Sequence, residues 1–177
     1  MTYYRRDEVV FVIRKAEEKD IPVLMDIYND AIQHTTATFD TEIKDYANRL
    51  EWFRAHTGRY IIYVYEEEGC VMGYASLSRY RDRRAFDPAV EISIYIHEKY
   101  RGRGIGRSLM EQVLDYAKNC REIGTVVSLI TSENEVSIHL HERFGFSYCG
   151  QIKNAGVKFG RNLSLNAYQL LYDRSGI

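Results

Sequence analysis

The chain has 177 residues, 45% of them hydrophobic and 28% charged, which is enough for a buried core and excludes an intrinsically disordered chain. Its formal net charge is −1, so any site for a polyanion has to be a local concentration of positive charge. The three scattered cysteines, Cys70, Cys120 and Cys149, contain no CxxC pair; they exclude a disulfide framework or a zinc ribbon and read as buried or neutral reduced thiols in a cytoplasmic protein.

The first apolar run, VVFVI, is too short for a signal-peptide core, and no stretch approaches the ~20 apolar residues of a membrane span. Only Pro22 and Pro88 occur, with no linker and no repeat, so residues 1–177 read as one domain with residues 1–8 a loose leader. Val9 to Ile13 has the pattern of a buried strand. Asp20 is placed to cap a helix with Pro22 in its first turn and Leu24, Ile27, Tyr28 and Ala31 on one face. After the polar loop QHTTATFDTE, Ile43, Tyr46, Leu50 and Phe53 recur at helical spacing, ending near Gly58. YIIYVY and CVMGYASL are predicted strands, joined at EEEG as a hairpin.

The basic, aromatic loop SRYRDRRAFDP then leads to a strand over Val90–Ile96. A glycine-rich corner follows, and after it a helix with Leu109, Val113, Leu114, Ala117 and Cys120 on one face. TVVSLIT is a further strand, NEVSIHLHERFG a helix, and FSYCGQI and LNAYQLLY the last two strands. The order β-α-α-β-β-β-α-β-α-β-β describes a mixed α/β fold, a sheet covered by helices.

At the corner, KYRGRGIGRSL interleaves Gly102, Gly104 and Gly106 with Arg101, Arg103 and Arg107. A helix start leaves about four amide N–H groups unpaired and carries partial positive charge, and glycines let an anion approach those amides. The spacing is GxGxG: it is neither the GxGxxG of a dinucleotide fold nor a loop ending in GK[ST], which leaves a metal-free pyrophosphate or a plain turn.

In the preceding strand VEISIYI, Val90, Ile92, Ile94 and Ile96 share one face and Glu91, Ser93 and Tyr95 the other. Glu91 is then either a solvent-facing or salt-bridged carboxylate, or a general base whose pKa is raised by desolvation.

Arg101-x-x-Gly104-x-Gly106 after a strand, followed by NEVSIHLHERFGF, resembles the GNAT superfamily of acetyl-CoA-dependent N-acetyltransferases. The stretches IYNDAIQHTTATFDTE, WFRAH, GYASLSRYRDRRAF, VEISIYIHEKYRGRGIGRSLM, ENEVSIHLHERFGF and GVKFGR are together similar to its phosphinothricin N-acetyltransferase branch. Members of that branch acetylate the α-amine of phosphinothricin, methionine sulfoximine or methionine sulfone. The resemblance covers roughly Phe11 to Leu171.

It implies a GNAT fold, an α/β (α+β) arrangement whose mixed, mostly antiparallel central sheet is splayed between strands 4 and 5 and flanked by helices. It further implies that Ile94, Tyr95 and Ile96 pair by main chain with the pantetheine arm of acetyl-CoA. Arg101, Gly102, Arg103, Gly104, Ile105, Gly106 and Arg107 would hold the pyrophosphate, and Asn134 the pantetheine arm. Asn134 is equally well placed as a helix N-cap.

On the acceptor side the resemblance implies Arg81, Asp82, Arg83, Glu91, Ile92 and Ser93, with Arg81 suited to fork onto a carboxylate. Glu91 would be the base for the incoming amine, directly or through water, a role that typically contributes ~10²–10⁴-fold. A backbone amide near Tyr95 would stabilise the oxyanion. His141 stands where many relatives carry a tyrosine acid for the leaving thiolate. His139 and His141 point to different sides of a helix, and no metal is expected. Phe39, Trp52 and Phe53 read as core aromatics or pocket walls.

Asn162-Leu163-Ser164 departs from the Trp-Leu-Asp usual after GR in close relatives and puts the exact acceptor in question. A small amine substrate and a homodimer are the partners implied, with no nucleic acid and no membrane. Two alternatives stay open: a GNAT enzyme for a protein N-terminus, polyamine or aminoglycoside, and a non-catalytic acyl-CoA-binding regulator.

Overall fold

The computed structural model describes residues 2–6 and 9–174. One sheet of eight strands runs in the order β1-β2-β3-β4-β5-β6-β8-β7. Its strands are β1 (Thr2–Arg6), β2 (Val9–Lys15), β3 (Ile61–Glu67), β4 (Cys70–Arg79), β5 (Ala89–Ile96), β6 (Thr125–Thr131), β7 (Ser147–Lys158) and β8 (Arg161–Leu171). The helices are α1 (Ile21–His34), α2 (Tyr46–Arg54), α3 (Ile105–Asn119) and α4 (Glu135–Arg143). Thr2–Arg6, read from the sequence as part of a loose leader, pairs antiparallel with β2 and covers backbone groups that an edge strand would otherwise expose. Residues 1, 7 and 8 of that leader lie outside the described residues.

Alternation along the strands explains why YIIYVY has no polar face. Ile61, Tyr63 and Tyr65 of β3 join one core with Leu109, Val113 and Ala117 of α3, while Ile62 and Val64 join another with Leu24 and Ile27 of α1. Each fully buried leucine or valine of these faces contributes about 1.5–3 kcal/mol. The second helix is shorter than its apolar spacing predicts. It starts at Tyr46, capped by the Asp45 carboxylate accepting from the Asn48 N–H at 2.8 Å. Ile43 and Tyr46 are exposed, and the residue that α2 buries most deeply is Arg49.

Asp20 sits at the N-cap position of α1, but its carboxylate does not cap the helix. It receives Arg14 Nη1 at 2.7 Å and Nη2 at 2.9 Å and the Glu17 N–H at 2.8 Å. This ties β2 to the start of α1, and Glu66 of β3 completes the cluster by accepting from Arg14 Nε at 2.8 Å. The cysteines are unpaired among the described residues, and Cys70 and Cys149 are exposed rather than buried.

The feature that positions the site is the parting of β5 and β6. This parallel pair is joined only at Ala89↔Thr125, Val90↔Val126 and Glu91↔Val127. Beyond Glu91, β5 continues with β4 as far as Ile96, and β6 with β8 as far as Thr131. These are the fourth and fifth strands when the added β1 is left out, as expected.

Gly73, opposite Ile96 on β4, keeps that free stretch close. A Cβ there would stand 2.6 Å from Ile96 Cδ1 and 2.9 Å from the Tyr95 carbonyl. Gly73→Ala is expected to lose about 1–3 kcal/mol of stability in urea unfolding, the usual range for overpacking. An unchanged midpoint would mean that β5 shifts freely.

Candidate active site

A cleft of about 1370 Å³ opens where the two strands separate. The free edge of β5, Ile94 to Ile96, forms one wall, and Asn134 and His141 of the α4 region another. At its far end lies the start of α3. Gly102 and Gly104 both hold φ near 78°, a left-handed conformation that costs a residue with a Cβ roughly 1–2 kcal/mol. Gly106 needs no such freedom, and there a Cβ would only touch Leu140 at 3.6 Å.

Gly104 caps α3 with no side-chain bond, and the first intrahelical bond comes from the Ser108 N–H. The amides of Ile105, Gly106 and Arg107 are therefore left for an anion. Nothing lies within 4 Å of the position a Gly102 Cβ would take, so a phosphate can approach the backbone closely. The open strand edge, the bare helix start and the long cleft between them fit a pantetheine arm and its pyrophosphate.

The three arginines of the corner are not equivalent. Arg107 lines the cleft and has no ion-pair partner among the described residues. Arg101 also lines it but reaches Asp30 at 3.1 Å and the Ile96 carbonyl at 3.3 Å. Arg103 turns away from the cleft to Glu67 at 2.6 Å, because β3 ends beside the corner. Asn134 takes its capping role: its Oδ1 accepts from the Ser137 N–H at 3.2 Å, which leaves its amide nitrogen for a ligand.

His141 is buried at 4% exposure. Its Nδ1 lies 2.7 Å from the Ser137 carbonyl, an acceptor only, so the ring proton is on Nδ1. Its Nε2 then accepts from the Ser128 hydroxyl at 2.9 Å. Burial pushes its pKa below the ordinary value, with the Ser137 carbonyl opposing. The ring is neutral with both nitrogens engaged, so the acid expected at this position has no proton directed into the cleft.

Glu91 and Ser93 line the same cleft where the strands part. Burial raises the Glu91 pKa, and the positive charge of Arg81 pulls it part of the way back. Ile92 is buried on the opposite face, in the α3 core. Arg81, Asp82 and Arg83 are exposed and line neither this cleft nor the second cavity. The Arg81 guanidinium rests over the Tyr80 ring, 4.4 Å from its centre. Asn162 and Leu163 pair with β7 in the sheet, Ser164 falls at the register shift beyond them, and all three likewise line neither cavity.

The second cavity, about 420 Å³, lies on the α2 side of the sheet and shares Tyr28, Ser93 and Tyr95 with the first. Its floor is a polar ladder in which Ser76 and Ser93 are cross-strand partners, as are Ser78 and Glu91. Over it lie Arg49 and Trp52, with His56 held between the Trp52 carbonyl at 2.7 Å and Ser78 Oγ at 3.0 Å. Trp52 is thus a wall of this cavity and Phe39 of the first, while Phe53 packs into the α1 core.

None of Arg49, Ser76, Ser78 and His56 stood out in the sequence as site residues. One signal was there: Arg49 falls on the same helical stripe as Tyr46, Leu50 and Phe53, a charge at an inward position.

The family model described as Acetyltransferase (GNAT) family matches residues 24–146. The chain is 40% identical over 162 residues to an L-methionine sulfoximine/L-methionine sulfone acetyltransferase of Salmonella typhimurium, covering 91% of this chain and 94% of that one. It is 39% identical over 162 residues to the L-amino acid N-acyltransferase MnaT of Escherichia coli, with the same coverage. Among solved structures, a GNAT superfamily phosphinothricin acetyltransferase of Sinorhizobium meliloti in complex with acetyl-CoA superimposes with a TM-score of 0.84 at 31% identity, covering 91% and 88% of the two chains. The parted strands, the bare helix start and these matches agree: the chain belongs to the GNAT family and is an acetyl-CoA-dependent N-acetyltransferase.

Proposed function

We propose that this enzyme acetylates the primary amine of a small amino acid or analogue of the methionine sulfoximine, methionine sulfone or phosphinothricin type, by direct attack with both substrates bound. The observation that carries this reading is the meeting of two cavities at Ser93 and Tyr95, with the half-buried Glu91 beside them on the same strand face. Acetyl-CoA brings an acetyl thioester, already activated for transfer. The free edge at Ile94–Ile96 holds the pantetheine arm, and the amides from Gly102 to Arg107 hold the pyrophosphate with Arg101 and Arg107 beside them. Asn134 contributes its free amide nitrogen.

The acceptor's ammonium must lose a proton before it attacks, and Glu91, raised by burial, is the group that takes it. Holding the two reactants in adjoining cavities supplies the orientation, so no acyl-enzyme is required. The exposed Arg81–Arg83 loop stands near the acceptor side, where the charge of Arg81 tunes Glu91. In the same reading the chain is one domain, acts in the cytoplasm and forms a homodimer. The exposed Tyr148, Ile152 and Val157 of the edge strand β7 favour such pairing.

The test is CoA release with mass spectrometry over a panel: methionine sulfoximine, methionine sulfone, phosphinothricin, ordinary amino acids, a polyamine and an aminoglycoside. Selective acetylation of the first three is expected. Preference for the polyamine or aminoglycoside would replace the acceptor class, and acetyl-CoA binding with no turnover on any amine would favour a regulator.

A further inference from the structure

Arg49 is 5% exposed, yet it makes no ion pair among the described residues, and its Nε and Nη2 are buried without a hydrogen-bond partner. Its guanidinium lies flat against Trp52, 3.6 Å from the ring centre, with Tyr28 on its other flank at 4.7 Å. The two rings fix the plane of the fork and supply cation–π attraction, but they satisfy none of its N–H groups. The Tyr74 hydroxyl, equally buried and without a partner of good geometry, lines the same small cavity, as do Ser76 and Ser93. Asp40, an acidic neighbour on the cavity wall, is already engaged by the Tyr28 hydroxyl at 2.8 Å and by Lys44 at 3.1 Å.

A buried cation without a counter-charge costs several kcal/mol, and a half-satisfied polar cluster is a poor way to fill a core. Both are explained if an anion completes the cluster. Arg49 and Tyr74 together present N–H and O–H donors to an oxyanion, and the remaining carboxylate of the lining, Glu51, is exposed to solvent.

We propose that Arg49 binds the α-carboxylate of the acceptor, with the Tyr74 hydroxyl as a second donor, and so restricts the enzyme to amines that carry an acid group. The inference rests on the acceptor reading above and assigns the anchor within it. The exposed Arg81 is a weaker candidate for that role, since a solvated guanidinium holds a carboxylate loosely. The geometry orders the substrate along β4 and β5: the carboxylate at the Arg49 and Tyr74 end, the amine toward Ser93 and Glu91, and the thioester beyond in the parted strands.

Trp52 is the only tryptophan of the chain and touches the proposed anchor, so its fluorescence reads the site without any turnover. Wild-type enzyme is titrated with L-methionine sulfone, with its primary amide and with the decarboxylated amine, and the same three are tested as acetyl acceptors. The acid is expected to give a saturable change, and both analogues lacking the carboxylate to bind and react about 10–100-fold more weakly, the size of a charge-assisted contact. In Arg49→Met, which keeps the length and apolar stem of the side chain, that preference is expected to collapse while the acetyl-CoA Kd is unchanged. Arg49→Lys is expected to restore part of it.

Should Arg49→Met fail to fold, the loss of acetyl-CoA binding will show it, and Arg49→Lys together with Tyr74→Phe then carries the test. An Arg49→Met enzyme that still discriminates acid from amide as wild type does overturns the proposal. Acid-dependent fluorescence without acetylation would instead overturn the acceptor reading and leave the anchor standing. Acetylation that is indifferent to the carboxylate would do the reverse.

Discussion

Glu91→Gln is expected to lower kcat by about 10²–10⁴-fold, the usual contribution of a positioned base, with acetyl-CoA affinity unchanged. The amide keeps the size of the side chain and its place beside Ser93 but cannot accept the ammonium proton. The wild-type kcat/KM profile should carry an acid limb above the ordinary carboxylate value of 4.5, because burial disfavours the charged form more than Arg81 restores it. Arg81→Gln should move that limb to still higher pH.

The same shift makes a stability statement. A carboxyl whose folded pKa is raised favours the native state below its unfolded pKa and loses that contribution as pH rises through the folded value. Glu91→Gln should therefore be more stable than wild type at neutral pH, with the difference vanishing toward the unfolded value of 4.5. Wild-type turnover by Glu91→Gln across neutral pH would remove Glu91 from the mechanism.

Asp20→Ala is expected to cost roughly 3–5 kcal/mol in urea unfolding with little change in slope, because it strands a buried guanidinium. Arg14 is bound through both terminal nitrogens to Asp20, and the side chains of the pair are 7% and 5% exposed. Glu66, 2.6 Å away, retains part of the charge balance and should keep the loss near the lower end. Burial pushes the Asp20 pKa up, but Arg14 and the Glu17 N–H outweigh it and hold the carboxyl below its ordinary value. Its contribution is therefore full above the unfolded pKa and lost as pH falls through the lower folded one. The gap between wild type and Asp20→Ala should be constant at neutral pH and close only in strong acid. A gap of less than about 1 kcal/mol would class the cluster with ordinary surface pairs.

Much of the site could be read along the chain because its parts are local. Alternation along VEISIYI placed Glu91, Ser93 and Tyr95 on one face, and in the sheet Val90, Ile92, Ile94 and Ile96 take the other, against the α3 core. The glycine corner was likewise legible as the start of a helix, since backbone geometry there depends on a few adjacent residues. Spacing did not reveal that only Gly102 and Gly104 adopt left-handed backbone, nor that Arg103 is drawn off by a carboxylate 36 positions earlier.

By itself, then, the sequence determined the order of the strands and helices after the leader, most faces of the core, the glycine-rich strand-to-helix corner and the family. Each depends on periodicity or on contiguous residues. Only the tertiary structure decided what the side chains do across elements: β1 adding an edge, Asp20 leaving its cap for Arg14, and His141 neutral between Ser128 and Ser137. It also decided that Arg49, on a stripe that reads as apolar, is sealed between Tyr28 and Trp52 beside the ladder that leads to Glu91. Burial, charge pairing and cavity shape are set by residues distant in the chain, and no local pattern encodes who will meet whom.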